Sequence, residues 1–165
     1  MTEKYCYKVI LSYKGSNYSG WQFQTENPNT IQAEVEKVLA SIVNYENFQL
    51  MAASRTDTGV HASGQVLKII LPKKIDPINL TKGMNSKLPQ DIKVISCEFI
   101  DLSFNVNQDV ISKEYHYYFT HHQPQSANLG DIINYLDPSL NIELMNKACW
   151  MLLGEHDFTN FYTKG

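Results

Sequence analysis

The first part of the chain alternates between apolar and polar positions, as β-strands do. From Tyr5 to Leu11 every second residue is a large apolar one, and the residues between them are mixed in character. This period of two predicts a strand over residues 5–12. Residues 15–29 are instead rich in turn-forming types and predict an ordered loop.

A helical period begins at Ile31. The apolar residues that follow recur at spacings of three and four, at Val35, Val38, Leu39, Ile42 and Val43. This stripe predicts an amphipathic helix, with Asn29 or Thr30 as its N-cap. A second helix is expected over residues 77–88, where Asp76 supplies an N-cap and Pro77 suits the first helical position.

Three more strands are expected around these helices, over residues 48–53, 65–71 and 91–99. The resulting order is strand, helix, strand, strand, helix, strand. This order predicts an α+β fold of the ferredoxin-like (split βαβ, RRM-like) type, an antiparallel sheet with helices on one face. The predicted domain covers residues 1–105.

Residues 106–165 predict too few elements to enclose a core. We expect a strand over residues 114–120, a polar linker over residues 121–134, and a helix from near Asn141 to Gly154. One strand and one helix do not close a core of their own. We therefore interpret this part as the beginning of a second α+β domain whose remainder is missing, in a truncated chain.

Composition excludes several classes of protein. Of the 165 residues 43% are hydrophobic, and the first twenty include no unbroken apolar segment, so a soluble cytoplasmic protein with no membrane segment is expected. The three cysteines form no C-x-x-C pair, and the five histidines match no zinc motif. We expect neither a disulfide framework nor a metal site.

Charge is informative mainly through one residue. The net charge of −3 argues against a general polyanion binder, so any RNA binding has to rest on local patches. Arg55 is the single arginine among 14 basic residues, and it lies two positions before Asp57. This favours a role for its planar guanidinium, although a surface arginine left by chance stays an alternative.

Asp57 lies in the loop between two predicted strands. A carboxylate placed there can act as a nucleophile, as a base or as the cap of an Asx-type turn. The tripeptide Asp57-Thr58-Gly59 also occurs in aspartic proteases, in which two carboxylates share a proton. One copy of it requires a homodimer, and Arg55 would favour the ionised carboxylate. An aspartic protease is therefore a remote alternative.

The longer segment around Asp57 is far more specific. Residues 55–62, Arg-Thr-Asp-Thr-Gly-Val-His-Ala, resemble the R-T-D-A-G-V-H motif of the TruA family of tRNA pseudouridine synthases. Other segments resemble motifs of that family in the same order. They are residues 13–22 (YKG with YSGWQ), 30–32 (TIQ), 64–66 (GQV), 85–91 (NSKLPQD), 113–117 (KEYHY) and 152–158 (LLGEHDF). The resemblance covers nearly the whole chain.

The resemblance implies an activity and its catalytic residue. Family members isomerise uridine to pseudouridine in the tRNA anticodon stem-loop, without cofactor or metal, and are homodimers. The family's catalytic aspartate falls on Asp57. Its carboxylate attacks the nucleoside, or stabilises the sugar after the glycosidic bond breaks.

Two substrate-binding residues are also implied. A stacked base is out of reach, so the target nucleotide has to be flipped, and Arg55 is expected to fill the gap by stacking on neighbouring bases. A structural salt bridge to Asp57 is the alternative for Arg55. Tyr115 matches the active-site tyrosine, whose ring stacks on the uracil and whose hydroxyl assists proton transfer at C5. Alternation also allows Tyr115, Tyr117 and Phe119 to be three core aromatics.

Other residues are weaker candidates for RNA contact. Trp21 and Gln22 are candidates either for RNA contact or for packing of their loop. Five lysines are candidates for phosphate contacts or for ordinary solvated surface: Lys14, Lys73, Lys74, Lys82 and Lys87.

The chain departs from the family pattern in several places. Ser54 replaces a glycine, Thr58 replaces an alanine, and Asn105 and Asn107 stand where the family often has His and Arg. The V-x-x-M-V-R-x-I-V-G region expected after Gly165 is also missing. These departures leave open whether this chain is active alone. A non-catalytic RNA-binding or assembly fragment is the main alternative.

Overall fold

The computed structural model of the protein describes residues 3–45, 47–122 and 130–161. Contacts within the chain divide it into two compact units, Met1–Glu114 and Tyr115–Gly165. The first unit has an extensive buried core, whereas none of the described residues of the second unit is buried.

An antiparallel sheet of four strands forms the first unit. The strands are β1 (Tyr5–Tyr13), β2 (Gln49–Ala52), β3 (Ala62–Leu71) and β4 (Ile92–Phe99), in the spatial order β2-β3-β1-β4. β1 is central, paired with β3 on one side and β4 on the other. The predicted α+β class with an antiparallel sheet is confirmed.

Two capped helices pack on this sheet. α1 (Ile31–Ile42) begins after Thr30, whose hydroxyl accepts a hydrogen bond from the Ala33 N–H at 3.2 Å. α2 (Pro77–Asn85) begins after Asp76, whose carboxylate accepts from two backbone N–H groups. The predicted caps are confirmed. α2 ends three residues earlier than predicted, because the Lys87 N–H bonds to the carbonyl of residue 84 and tightens the last turn.

The core lies between the helices and one face of the sheet. Alternate residues of β1 are buried, as the period of two predicts. They form one cluster with apolar residues of β3, β4 and both helices, and the largest fully buried members are Tyr7, Leu11, Ile31, Leu39, Leu67, Ile69, Leu71, Leu80 and Met84. Because β1 is anchored through this cluster, its last residue, Tyr13, is a fixed point for the loops at that end of the sheet.

A short segment after β4 is fixed to the sheet by a lysine. Lys68 is 8% exposed, and its ammonium donates hydrogen bonds to the carbonyls of Leu102 and Phe104, at 2.7 and 2.5 Å. In the same segment the Asn105 side chain accepts from the backbone N–H groups of Asn107 and Gln108. The two asparagines therefore build a local turn where the family often has His and Arg.

The described residues of the second unit form two short strands, a helix and a final 3-10 turn at Thr159–Phe161. β5 (Tyr118–Thr120) pairs in parallel with β6 (Ile133–Tyr135), and α3 (Ile142–Met151) begins after its N-cap, Asn141. The predicted strand over residues 114–120 is wrong for residues 114–117. Only residues 118–120 pair with β6 among the described residues, and residues 114–117 form no strand. The predicted linker is wrong where β6 forms, and its residues 123–129 lie outside the described residues.

Candidate active site

Asp57 lies on a loop that joins two neighbouring strands. The loop leaves β2 after Ala52 and enters β3 at Ala62, and its first residues are tied to β3. The Ala53 N–H donates to the carbonyl of residue 66 at 2.9 Å, and the Gln65 side chain donates to the Ser54 carbonyl at 2.5 Å. The predicted position of Asp57 between two strands is confirmed, and these strands, β2 and β3, pair antiparallel.

The Asp57 carboxylate is exposed and makes no side-chain bond within the described residues. Its backbone carbonyl accepts from the Val60 N–H at 3.2 Å, and Gly59 permits this turn with a φ of +79°. An Asx-type turn needs the carboxylate itself as acceptor, and none of the described N–H groups donates to it. The carboxylate is therefore accessible to a substrate.

Arg55 is exposed next to Asp57 without pairing with it. Lys8 forms an ion pair with Glu98 and Lys37 with Glu34, whereas no ion pair of the described residues involves Arg55. The structural salt bridge considered as the alternative role for Arg55 is thus not formed. Both charged side chains of the motif face solvent from the same short loop.

The loop before α1 clamps the Asp57 loop on both sides of the carboxylate. On one side the Trp21 N–H donates to the Thr56 carbonyl at 2.9 Å, and on the other the Gly59 N–H donates to the Tyr18 carbonyl at 3.3 Å. Trp21 is 3% exposed, so its indole packs the loop in the core and is not available for RNA contact, whereas Gln22 is exposed. The loop of residues 15–29 is ordered, as predicted, and opens with a single 3-10 turn.

Two glycines allow the loops to approach closely. A Cβ at Gly15 would lie 2.1 Å from the Val60 carbonyl oxygen, and one at Gly20 would lie 2.6 Å from the Thr56 carbonyl oxygen. Gly20 also has a φ of +89°, which side chains rarely allow. Gly15 and Gly20 are thus required because the backbone of the Asp57 loop lies against them.

His61, at the end of the loop, also contacts this segment. Its Nδ1 accepts a hydrogen bond from the Gly15 N–H at 3.2 Å. This bond joins the imidazole to the start of the loop before α1. Sequence reasoning tested His61 only as a metal ligand and missed this contact.

A partly buried pair of hydroxyl groups lies beside the clamp. The Tyr13 hydroxyl and the Thr56 Oγ1 are 2.8 Å apart, and the Tyr13 ring lies beside Trp21 with centroids 6.1 Å apart. Burial raises the pKa of Tyr13, and its bond to Thr56 offsets part of that rise, so the phenol stays protonated at neutral pH. Sequence reasoning also missed this pair, which joins residues 43 positions apart.

The segment of residues 85–91 supports the clamp from β4. The Asn85 side chain pairs with both backbone groups of Val94, at 2.8 and 2.9 Å. Asp91 accepts from the Tyr18 hydroxyl at 2.7 Å and, through its carbonyl, from the Lys14 N–H at 2.8 Å. Burial is the main cause that raises the pKa of Tyr18, and the hydrogen bond to Asp91 raises it further. The Tyr18 hydroxyl therefore keeps its proton and donates to Asp91. This segment thus has a structural role.

Tyr115 belongs to the second unit, where its side chain is 66% exposed. It precedes β5, so it is not part of the predicted strand face. Tyr117 and Phe119 are 84% and 43% exposed, so the alternative of three core aromatics is wrong for this unit as described.

The candidate lysines differ in their surroundings. Lys14, Lys74, Lys82 and Lys87 are exposed and Lys73 is half-buried. Lys74 lies over the Phe99 ring at 5.6 Å, a cation–π contact. Lys14 and Lys93 line an open groove beside Tyr13, and Lys93 was not among the candidates.

Neither a metal-binding cluster nor a membrane-spanning helix occurs among the residues that the structure describes. No three His, Cys, Asp or Glu side chains in that part of the chain are grouped so that they would bind a metal ion. In the same residues, no helix has both the length and the apolar composition that a membrane span requires.

Comparison with known proteins identifies the family. A family model described as tRNA pseudouridine synthase matches residues 9–108, which include the Asp57 loop and its clamp. A tRNA pseudouridine synthase A 2 from Desulfotalea psychrophila is 37% identical over 169 residues, covering 96% of this chain and 64% of the relative. A tRNA pseudouridine synthase A from Francisella philomiragia is 38% identical over 155 residues, covering 94% and 59%.

A third relative gives the same result. A tRNA pseudouridine synthase A 1 from Protochlamydia amoebophila is 34% identical over 157 residues, covering 95% of this chain and 61% of the relative. The chain spans about three fifths of the length of these curated relatives. On the family match and on these identities, the chain belongs to the tRNA pseudouridine synthase family.

Proposed function

We propose that the chain isomerises uridine to pseudouridine in the anticodon stem-loop of tRNA. The observation that carries this proposal is the Asp57 carboxylate, which is exposed and has no partner among the described residues. It lies on a loop that the backbone of Tyr18 and Trp21 clamps. The test is incubation with unmodified tRNA followed by mapping of pseudouridine by primer extension. Product in the anticodon stem-loop supports the proposal, and its absence from the natural full-length protein contradicts it.

The proposed chemistry needs only a carboxylate and a proton acceptor. The bond between uracil N1 and the ribose C1′ breaks, the uracil turns, and a bond forms between its C5 and the same C1′. The C5 proton leaves and N1 gains one, so substrate and product have the same atoms. Asp57 either attacks the nucleoside covalently or stabilises the positive sugar, and an ionised, accessible carboxylate suits both routes.

We propose that Arg55 supports the flipped state of the target nucleotide. Flipping a base out of a stem-loop costs a few kcal/mol, which a planar cation stacked in the gap offsets. Arg55 is exposed beside Asp57, and its guanidinium is not engaged in any ion pair of the described residues. It is therefore available for RNA.

Replacing Arg55 distinguishes this role from a structural one. Arg55→Lys keeps the charge but loses the planar fork, so we expect kcat/KM for tRNA to fall by at least about tenfold. Arg55→Ala should lower it further while leaving the unfolding temperature unchanged, because the side chain is exposed. A structural arginine would give the opposite pattern, with reduced stability in Arg55→Ala and full activity in Arg55→Lys.

Tyr115 is proposed as the tyrosine that stacks on the flipped uracil. Tyr115→Phe keeps the ring, so we expect it to lower kcat and leave KM nearly unchanged if the hydroxyl assists proton transfer. Tyr115→Ala should also lose the stacking, so the activation free energy calculated from kcat/KM should rise by roughly 1–3 kcal/mol more. The exposed neighbour Tyr117 gives the matched control, and equal effects of Tyr115→Phe and Tyr117→Phe would exclude the assignment.

A non-catalytic RNA-binding or assembly role is the second candidate. It is favoured by the exposed apolar side chains of the second unit. Salt-dependent tRNA affinity without turnover would support this role over catalysis.

We further propose the finer architecture and setting that the family resemblance implies. The order β4-β1-β3-β2 with one helix in each crossover supports a ferredoxin-like first domain over residues 1–105, with residues 106–165 beginning a second. A cytoplasmic homodimer without cofactor is part of the same proposal. Size-exclusion chromatography with light scattering tests the dimer, and a monomeric mass would exclude it.

A further inference from the structure

We propose that Tyr13 is a positioning residue, whose hydroxyl, together with the Thr56 hydroxyl, fixes the peptide that leads into Asp57. The proposal rests on the proposed function, because positioning matters only if Asp57 acts on a substrate. Tyr13 itself is buried, with 4% of its surface exposed, so it acts through Thr56 and does not touch RNA.

Asp57 depends on its backbone for its orientation. No described side chain or N–H group bonds to its carboxylate, so nothing at that end of the side chain holds it in place. The direction of the Cα–Cβ bond is set by the neighbouring peptides. Whatever fixes residues 56 and 59 therefore fixes the Cα–Cβ direction of Asp57, from which the carboxylate extends.

Thr56 is held at two atoms by two different residues. Its carbonyl accepts from the Trp21 N–H at 2.9 Å, and its Oγ1 pairs with the Tyr13 hydroxyl at 2.8 Å. With one hydrogen bond, to its carbonyl, Thr56 could still rotate about the axis of that bond. The second bond, to the side chain, removes this rotation and thereby defines the peptide that enters Asp57.

Tyr13 is well suited to be the fixed partner. It is the last residue of β1, and it pairs with Ala62 of β3 and with Ile92 of β4. The pairing of β1 with β3 shifts register between Leu11 and Tyr13, an irregularity of the kind that re-aims side chains next to active sites. The Tyr13 ring also packs in the main hydrophobic cluster.

Tyr7 provides a matched control on the same strand and face. It is fully buried, and its hydroxyl donates to the Ile75 carbonyl at 2.9 Å and accepts from the Ile75 N–H at 2.8 Å. Tyr7→Phe and Tyr13→Phe thus remove the same group from the same strand. Only Tyr13 contacts the Asp57 loop.

The experiment compares these variants by tRNA kinetics and by amide hydrogen exchange. We expect Tyr13→Phe to lower kcat by about 10- to 100-fold with KM for tRNA nearly unchanged, whereas Tyr7→Phe keeps wild-type kcat. The amides of Trp21 and Gly59, which form the clamp, should exchange faster in Tyr13→Phe than in Tyr7→Phe. Thr56→Val should match Tyr13→Phe, and Thr56→Ser should recover most of the loss.

Each outcome decides the proposal. Equal kcat in Tyr13→Phe and Tyr7→Phe, in an active enzyme, would overturn it. If the wild-type protein shows no turnover, the proposed function fails separately, and exchange at the Trp21 and Gly59 amides still decides whether the hydroxyl pair fixes the loop. Unchanged exchange in Tyr13→Phe would then overturn the inference.

Discussion

Asp57→Asn is expected to reduce pseudouridine formation by at least about 10³-fold, the scale on which removal of a nucleophilic group acts. The amide has nearly the shape of the carboxylate but neither its charge nor its nucleophilicity, so it supports neither the covalent nor the electrostatic route. The measurement is the initial rate of product formation on unmodified tRNA.

The fold should survive this change. Asp57 is exposed and its carboxylate has no partner among the described residues, so the unfolding temperature of Asp57→Asn should equal that of wild type. Asp109→Asn, a change at another exposed aspartate of the first unit, serves as the control and should retain activity. If Asp57→Asn kept more than about a tenth of the wild-type rate, the catalytic assignment would be wrong.

Gly20→Ala is expected to have the second largest effect, on both stability and activity. The new Cβ would lie 2.6 Å from the Thr56 carbonyl oxygen and 3.1 Å from the Asp57 carbonyl carbon, and both contacts are with backbone. The residue also has a φ of +89°. We expect the free energy of unfolding to fall by roughly 2–4 kcal/mol, measured by urea denaturation.

Two other glycines separate the causes of that effect. Gly59 has a φ of +79° but open space around its Cβ position, so Gly59→Ala should cost only about 1–2 kcal/mol. Gly64 has neither a positive φ nor a close neighbour, since the nearest contact of its Cβ would be the Ile10 side chain at 3.9 Å. Gly64→Ala should therefore change the free energy of unfolding by less than about 0.5 kcal/mol. Equal costs at the three positions would exclude close packing of the two loops as the cause.

Sequence patterns predicted the elements whose burial follows one local period. The stripe of α1 and the alternation of β1 each bury one side, and caps such as Thr30 act within three residues of the helix start. β5 was predicted too long and β6 was not predicted, because a three-residue strand has almost no period of its own. The first and last residues of such a strand are set by its pairing with another strand elsewhere in the chain.

The residues of the candidate site also differ in how far the sequence could predict them. Asp57 and Arg55 were singled out because they belong to one continuous motif, and Asp-Thr-Gly alone suggested a turn or a protease. The Tyr13–Thr56 pair and the contact of Gly15 with His61 join distant segments, so no local pattern indicates them. Glycines at residues 15 and 20 were a partial signal, since close backbone approach is a common reason for glycine in a loop.

The most direct test of the central claim is tritium release from tRNA that carries [5-³H]uridine. Formation of the bond between C5 and C1′ expels the C5 hydrogen, while the base stays attached to its ribose. The account predicts that the protein, in its natural full length, releases tritium without free uracil, and that Asp57→Asn releases none. Absence of release from the wild type, or equal release from Asp57→Asn, would contradict the account.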